Sequence, residues 1–371
     1  MPAHRRIRLL IVDDSRFIRM ALRAIVAQDP EIEVAGEARD GADAIALARV
    51  LRPDVITMDL EMPEVDGLEA IQGIMAERPT PIIVLSGHTR TGVWTTFQAL
   101  GRGAVDFLEK PHTLESMDTR SIERELLAKI HHWARRPHGA PWGGDGRASL
   151  RTPEPEPLPE SQPTPRPRPA PAADGIYRPN GCDLVVVAVS TGGPNTVPSL
   201  LKGMAGPLRC PMVIAQHMPR LFTAGFAEHL AIASGLDVVE AENNMALVPG
   251  RVAVIAGGCD GEVVRGPGGL RLRQRHGGNS GIHPSADVLF ESAVRAARLP
   301  AAVVLTGIGS DGTAGAQHFA ARQLPVFAQT PDTAVVWGMP SAVIEAGYAS
   351  QVLSVEEIGA ELARLAGTPE D

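Results

Sequence analysis

Around Pro153–Pro171 the chain reads TPEPEPLPESQPTPRPRPAPAA, which gathers nine of its 32 prolines into one short stretch. Proline fixes φ and offers no amide donor, so this run can neither continue a helix nor sit inside a sheet. It also has too little apolar surface to bury, and its composition favours extended polyproline conformations. The chain must therefore fold as two units joined by a linker. A length of 371 residues agrees, at about 150 residues per domain with a core in each. The pattern places a first domain at 1–135, the linker at 136–179 and a second domain at 180–371, with no internal repeat.

Composition removes several classes of function. The formal charge of −8 disfavours a nucleic-acid binder, which needs clustered Lys and Arg, and no basic helix-turn-helix pattern is present. No apolar run approaches the roughly 20 residues that span a bilayer. The start MPAHRRIRLLIVDDS carries charge too soon after its short apolar run for a secretory signal. A cytoplasmic location is expected. Cys182, Cys210 and Cys259 are odd in number and form no CxxC pair, so they read as buried small hydrophobes rather than as a disulfide or zinc framework.

From residue 7, short Val/Ile-rich runs alternate with amphipathic segments: RLLIV, IEVAG, DVITM, PIIVL and AVDFL, with helices near Arg16–Gln28, after Gly41, from Gly67, near Trp94–Leu100 and from about Leu114 to Ala134. Five strand–helix units predict an α/β fold with a five-stranded, doubly wound parallel sheet. Ligands of such sheets bind at the carboxyl ends of the strands. Asp13, Asp14, Asp59, Ser86 and Lys110 fall at those ends. A single Asp there is an ordinary helix cap. Three carboxylates at one edge repel one another unless a hard cation holds them, and oxygen ligands suit Mg2+.

LLIVDDS, TMDLEMPEVDGLEAI, IIVLSG and GAVDFLEKP resemble the phosphoacceptor pattern of two-component receiver domains, over about 120 residues. The resemblance implies a flavodoxin-like fold in which Asp59 takes a phosphoryl group from a histidine kinase. Asp14, Asp59 and the backbone carbonyl of Glu61 would bind Mg2+, Asp13 would act through water, and Lys110 would neutralise charge. Ser86 and Phe107 would register the new charge, the serine by bonding a phosphoryl oxygen and the aromatic by reorienting. Phosphoryl transfer needs mainly positioning and charge neutralisation, which such a set supplies.

After the linker the alternation resumes with DLVVVAV, PMVIA, RVAVIA, AAVVLT and PVFA, a second parallel-rich sheet of Rossmann-like α/β type. Ser190 in AVSTGGPN ends its first strand, His217 in IAQHMPRLF ends the second, and Asp311 follows AAVVLT in TGIGSDG. Each alone is weak evidence, a turn serine or a histidine serving backbone groups. Together they form a nucleophile, its base and the carboxylate that orients the base. AVSTGG is not a G-x-S-x-G elbow, and the chain order differs from that of α/β-hydrolases, so a standard hydrolase elbow is not expected.

VSTGGPN, IAQHMPRLFTAGFA, HPSADVLFESA, VLTGIGSDGTAG and VVWGMPSAV, downstream of a receiver and a linker, resemble the chemotaxis methylesterase family, CheB, along nearly the whole chain. The resemblance implies hydrolysis of glutamate methyl esters on chemotaxis receptors, and often deamidation of receptor glutamines, with no cofactor in the esterase domain. Ser190 would be the nucleophile, His217 the base and then acid, and Asp311 the orienting carboxylate. Thr191 would support the site, and the Ile308 amide would stabilise the oxyanion. Gly257, Gly261, His229 and Ile282 stand where the family commonly has Pro, His, Arg and His. The family also implies an unphosphorylated receiver packed over the esterase site and loosened by phosphorylation, and a monomer that does not insert into membranes.

Two other readings fit part of the pattern. TGIGSDG also satisfies G-x-G-x-x-G after a strand, with Asp332 about 20 residues on, as a nicotinamide-dependent oxidoreductase requires. That motif falls late in its domain and leaves Ser190 and His217 unexplained. A phosphorylation-controlled receptor-binding module without esterase turnover is the other. The strip LRLRQRH puts Arg271, Arg273 and Arg275 on one face of a strand, either as a contact for acidic receptor helices or as a solvated hairpin face.

Overall fold

The computed structural model describes residues 5–87, 90–110, 119–135, 181–204, 208–277 and 282–366. The Pro-rich stretch read as a linker, 136–179, and the start of the last receiver helix near Leu114 lie outside these residues.

The first unit alternates β1 (Ile7–Val12), α1 (Arg16–Val26), β2 (Ile32–Ala38), α2 (Gly41–Leu51), β3 (Val55–Asp59), α3 (Gly67–Glu77), β4 (Ile82–Ser86), α4 (Arg90–Gly101), β5 (Asp106–Glu109) and α5 (Thr119–Ala134). Its strands lie in the order β2-β1-β3-β4-β5, all parallel. β3 and β4 are buried along their whole length, because helices cover both faces of a parallel sheet. Polar caps start the helices: Ser15, Asp40 and Asp66 accept from the amides of Ile18, Asp43 and Glu69.

The second unit runs β6 (Leu184–Val189), α6 (Gly193–Gly203), β7 (Met212–Gln216), α7 (Arg220–Ser234), β8 (Asp237–Glu240), β9 (Met245–Ala246) and β10 (Arg251–Val254). It continues with β11 (Cys259–Gly266), β12 (Gly269–His276), α8 (Ala286–Ala296), β13 (Pro300–Val304), α9 (Thr313–Ala321), β14 (Val326–Gln329), α10 (Gly338–Glu345), β15 (Gln351–Leu353) and α11 (Val355–Ala366). Seven parallel strands follow the order β15-β14-β13-β6-β7-β10-β8, and β11, β12 and β9 form a small antiparallel sheet. The chain leaves β6 toward β7 on one side and later fills β13 on the other, so the strand order reverses at β6. Crevices open at such switch points. The strip of three arginines lies on β12: Arg271 donates to Asn244, Arg275 lies 3.5 Å from Glu262, and Arg273 is exposed. Cys210 and Cys259 are buried and Cys182 half-buried, all three as free thiols.

One apolar core includes residues of both units, among them Phe97 and Phe107 of the first and Phe222 and Phe226 of the second. α4 and β5 face α7. Phe97 stacks on Phe226 at 6.0 Å and on the His229 ring at 5.3 Å, and Phe107 stacks on Phe222 at 4.7 Å. Gly225 permits this approach, since a Cβ there would stand 2.5 Å from Val93 Cγ1.

Candidate functional site

The turn after β6 explains why the chain spends two glycines beside Ser190. Gly192 has φ +82 and its absent side chain makes room for Val335, while a Cβ on Gly193 would land on the Gln216 side chain. The turn closes through the Gly193 amide to the Ser190 carbonyl at 2.9 Å, and α6 begins at once. His217 leaves β7 with its amide on the Val189 carbonyl at 3.0 Å, which seats it next to that turn. Gly307, after β13, packs on Ser190: a Cβ there would meet Ser190 Cβ at 2.8 Å. Ser190, Thr191, His217 and the backbone beside Ile308 thus line one cleft of ≈ 700 Å³.

Asp311 meets His217 from the loop between β13 and α9. His217 Nε2 lies 2.8 Å from Asp311 Oδ2. That contact assigns Nε2 to the carboxylate and leaves Nδ1 as the ring nitrogen available to Ser190, whose hydroxyl makes no hydrogen bond among the described residues. Asp311 sits at the start of α8, where Oδ2 accepts from Ala286 N at 2.7 Å and Oδ1 from Asp287 N at 3.1 Å and Gly312 N at 3.0 Å. Burial pushes the Asp311 pKa up, but the His217 hydrogen bond and charge and these amides outweigh it and hold the group below the ordinary carboxylate value. An ionised Asp311 is the form that orients an imidazole.

Several groups that tie the site together escaped the sequence reading. Gln216, Asp287, Thr306 and Gln329 bond backbone atoms that only the fold brings near. Thr306 Oγ1 donates to the Thr191 carbonyl at 2.9 Å, its amide donates to Gln329 Oε1 at 2.8 Å, and Asp287 Oδ1 accepts from Gly315 N at 2.7 Å. Gln216, Thr306 and Asp287 lay inside quoted motifs, and that placement was the one signal available. Of the four positions that depart from the family, Gly257 packs where a Cβ would strike the Met218–Arg220 backbone. Gly261 leaves its space to Ile255, His229 stacks on Phe97, and Ile282 is an exposed residue of the cleft.

In the first unit, one carboxylate oxygen each from Asp13, Asp14 and Asp59 lies within 4.8 Å of the others. Lys110 Nζ stands 2.7 Å from Asp59 and 3.0 Å from Asp13. Burial first, with the nearby Asp13 charge adding to it, lifts the Asp59 pKa to about 6 against the lowering by Lys110. Glu61 donates its amide to Asp59 Oδ1 at 3.1 Å, which puts its backbone beside the cluster. An all-oxygen, crowded anionic set of this kind fits a hard divalent cation. Ser86 Oγ is engaged with α4, 3.2 Å from the Gly92 carbonyl and 2.8 Å from Thr96 Oγ1. Phe107 is held against Phe222 rather than turned to solvent.

The two units share the cleft. Asp106–Glu109 of β5 and Arg124, Glu125, Ala128 and Lys129 of α5 line it together with Ser190 and His217. Lys129 is buried, 2.9 Å from Asp106 and 3.0 Å from Glu125, and donates to the Phe107 carbonyl at 2.6 Å. Burial would strip its proton, but those two acidic charges more than offset this and hold Lys129 well above the ordinary lysine value.

Fold and site define a class: a five-stranded receiver-type α/β unit joined to a second α/β unit that gathers a serine, a histidine and an aspartate at the carboxyl edge of its sheet. Residues 9–121 match the response regulator receiver domain, and residues 185–362 match the CheB methylesterase family. A protein-glutamate methylesterase/protein-glutamine glutaminase 2 of Carboxydothermus hydrogenoformans is 40% identical over 97% of this chain and 99% of its own length. A protein-glutamate methylesterase/protein-glutamine glutaminase of Nocardioides sp. is 41% identical over 96% and 95%, and one of Pyrococcus abyssi 35% identical over 95% and 92%. The chain belongs to the CheB methylesterase family. That membership gives no support to reading Gly307–Gly312 as a dinucleotide loop. Among the described residues no helix is long and apolar enough to cross a membrane.

Proposed function

We propose that the protein hydrolyses glutamate methyl esters, and deamidates glutamines, on chemotaxis receptors under the control of phosphorylation at Asp59. The observation that carries this reading is that Ser190 and His217, just past the ends of β6 and β7, line one cleft that the receiver also lines, with Asp311 hydrogen-bonded to His217 from the loop after β13.

In the mechanism, His217 Nδ1 takes the Ser190 proton as Oγ attacks the γ-carbonyl of the modified glutamate. The Ile308 amide donates to the oxyanion of the tetrahedral intermediate. Asp311 holds the Nε2–H tautomer and stabilises the imidazolium that forms. His217 then protonates the leaving methoxide, which departs as methanol, or the amide nitrogen of a glutamine, which departs as ammonia, and an acyl-enzyme remains on Ser190. Water, deprotonated by the same Nδ1, releases the carboxylate and restores Ser190. Thr191 fixes the turn through its carbonyl, which Thr306 holds.

Access to this site is set by the receiver. Asp14, Asp59 and the Glu61 carbonyl, with Asp13 through water, would hold Mg2+, which when bound neutralises the oxygens of an incoming phosphoryl group. A histidine kinase is the donor. The phosphoryl charge favours the state in which Ser86 and Lys110 turn to it, and so disfavours the packing of Phe107 on Phe222.

The test is methanol release from methylated receptor membranes by the full-length chain, with and without a beryllium fluoride phosphoryl mimic, beside Ser190→Ala. Release that rises with the mimic and vanishes in the variant is expected. Release that persists in Ser190→Ala refutes the nucleophile, and equal rates with and without the mimic refute the control by Asp59.

A further inference from the structure

One buried amide in the cleft takes no part in the steps above. Gln216, the last residue of β7, is 1% exposed and lies between the turn that carries Ser190 and the start of the loop that carries His217. Its Nε2 donates to the Ser190 carbonyl at 2.9 Å and to the His217 carbonyl at 3.0 Å. The two hydrogens of one amide group therefore join the residue bearing the nucleophile to the residue bearing the base.

The other end of the side chain is costly. Gln216 Oε1 is buried without a hydrogen-bond partner, and an unmade buried acceptor is a standing penalty that native structures seldom retain without a reason. It leans on Gly193, where any Cβ would collide with it. A methionine of the same length would fill the space without an orphaned oxygen. Packing therefore does not account for the amide, whereas its two donors do. Strand pairing ends at Val189 and Gln216; past it one backbone bond, from the His217 amide to the Val189 carbonyl at 3.0 Å, joins the two segments, and the Gln216 amide adds the ties to the Ser190 and His217 carbonyls themselves.

We infer that Gln216 is a positioning residue that sets the distance from Ser190 Oγ to His217 Nδ1, with Gly193 as the space it requires. It touches neither substrate nor proton. The inference rests on the esterase reading and deepens it. Misplacement of reacting groups by about 1 Å costs on the order of a hundredfold in rate, so the effect belongs in kcat and not in KM.

The test uses the full-length chain with Gln216→Met, followed by methanol release and by the rate at which a fluorophosphonate labels Ser190. We expect kcat to fall at least ~10-fold, KM to stay within ~2-fold, labelling to slow in step with kcat, and the melting temperature not to fall. Gln216→Glu gives a signature that a packing role does not produce: its carboxylate faces two carbonyls, and its protonated form regains one donor, so activity relative to the native chain recovers as pH falls. If Gln216→Met does not fold, Gly193→Ala displaces the unaltered Gln216 and is expected to slow labelling likewise. A folded Gln216→Met or Gly193→Ala chain with native kcat and labelling overturns the inference. If the native chain releases no methanol, the esterase reading fails instead; labelling then decides alone, slower in Gln216→Met for the inference and equal against it.

Discussion

Asp59 is buried and Asp311 half-buried, and their surroundings send the two carboxylates in opposite directions. Asp311 has three backbone amides and an imidazole on its two oxygens and stays below the ordinary value; Asp59 has one amide and Lys110 against burial and an acidic neighbour, and rises to about 6. A raised acid is protonated below its pKa, and a metal binds only the ionised form. Binding of Mg2+ must therefore displace a proton below about pH 6, and its apparent affinity should drop toward tenfold per pH unit under that point. Titration calorimetry at pH 7 and pH 5 checks this, and equal affinities at the two values would contradict it. The acidic cluster and the Ser-His-Asp set were legible because each member ends a strand or sits in the loop that leaves one, where sequence alone locates it. Gln216 and Asp287 were not, because their partners are the Ser190, His217 and Gly315 backbones, which no pattern of side chains reveals.

Among the elements, α7 is the one that serves both halves. It starts three residues after His217 and offers Phe222, Phe226 and His229 to Phe107 and Phe97. Gly225 sets how near α4 can come. Gly225→Val should wedge α4 from α7 without opening a hole in either core. A wedge worth about 1 kcal/mol shifts the closed-to-open ratio about fivefold, and methanol release without any phosphoryl donor should rise by that order while the further gain from the mimic shrinks. Unchanged basal release would show that this contact does not control access. The five central strands of the second sheet that the sequence predicts, β6, β7, β10, β13 and β14, are present as continuous apolar runs. The edge strands β8 and β15 were missed because an edge is half exposed and short, so it carries no such run.

Across the whole molecule, the sequence separated two halves by their Pro-rich divider and matched strands to each. It did not reveal that the halves share a core, since apolar residues on α4 and α7 read alike whether they face their own sheet or a neighbouring domain. Two sheets whose apolar interiors run together through Phe97, Phe107, Phe222 and Phe226 have a consequence for heat. In the resting state neither half can melt without exposing part of the other, so calorimetry should record a single endotherm whose calorimetric and van't Hoff enthalpies agree. With the phosphoryl mimic bound, two overlapping endotherms should appear, the receiver's rising with mimic concentration as ligand linkage requires. Two endotherms already present in the resting chain would mean that the shared interior is too weak to couple them. Read this way, the scanning trace of the intact chain measures how firmly one half holds the other, with no substrate in the cell.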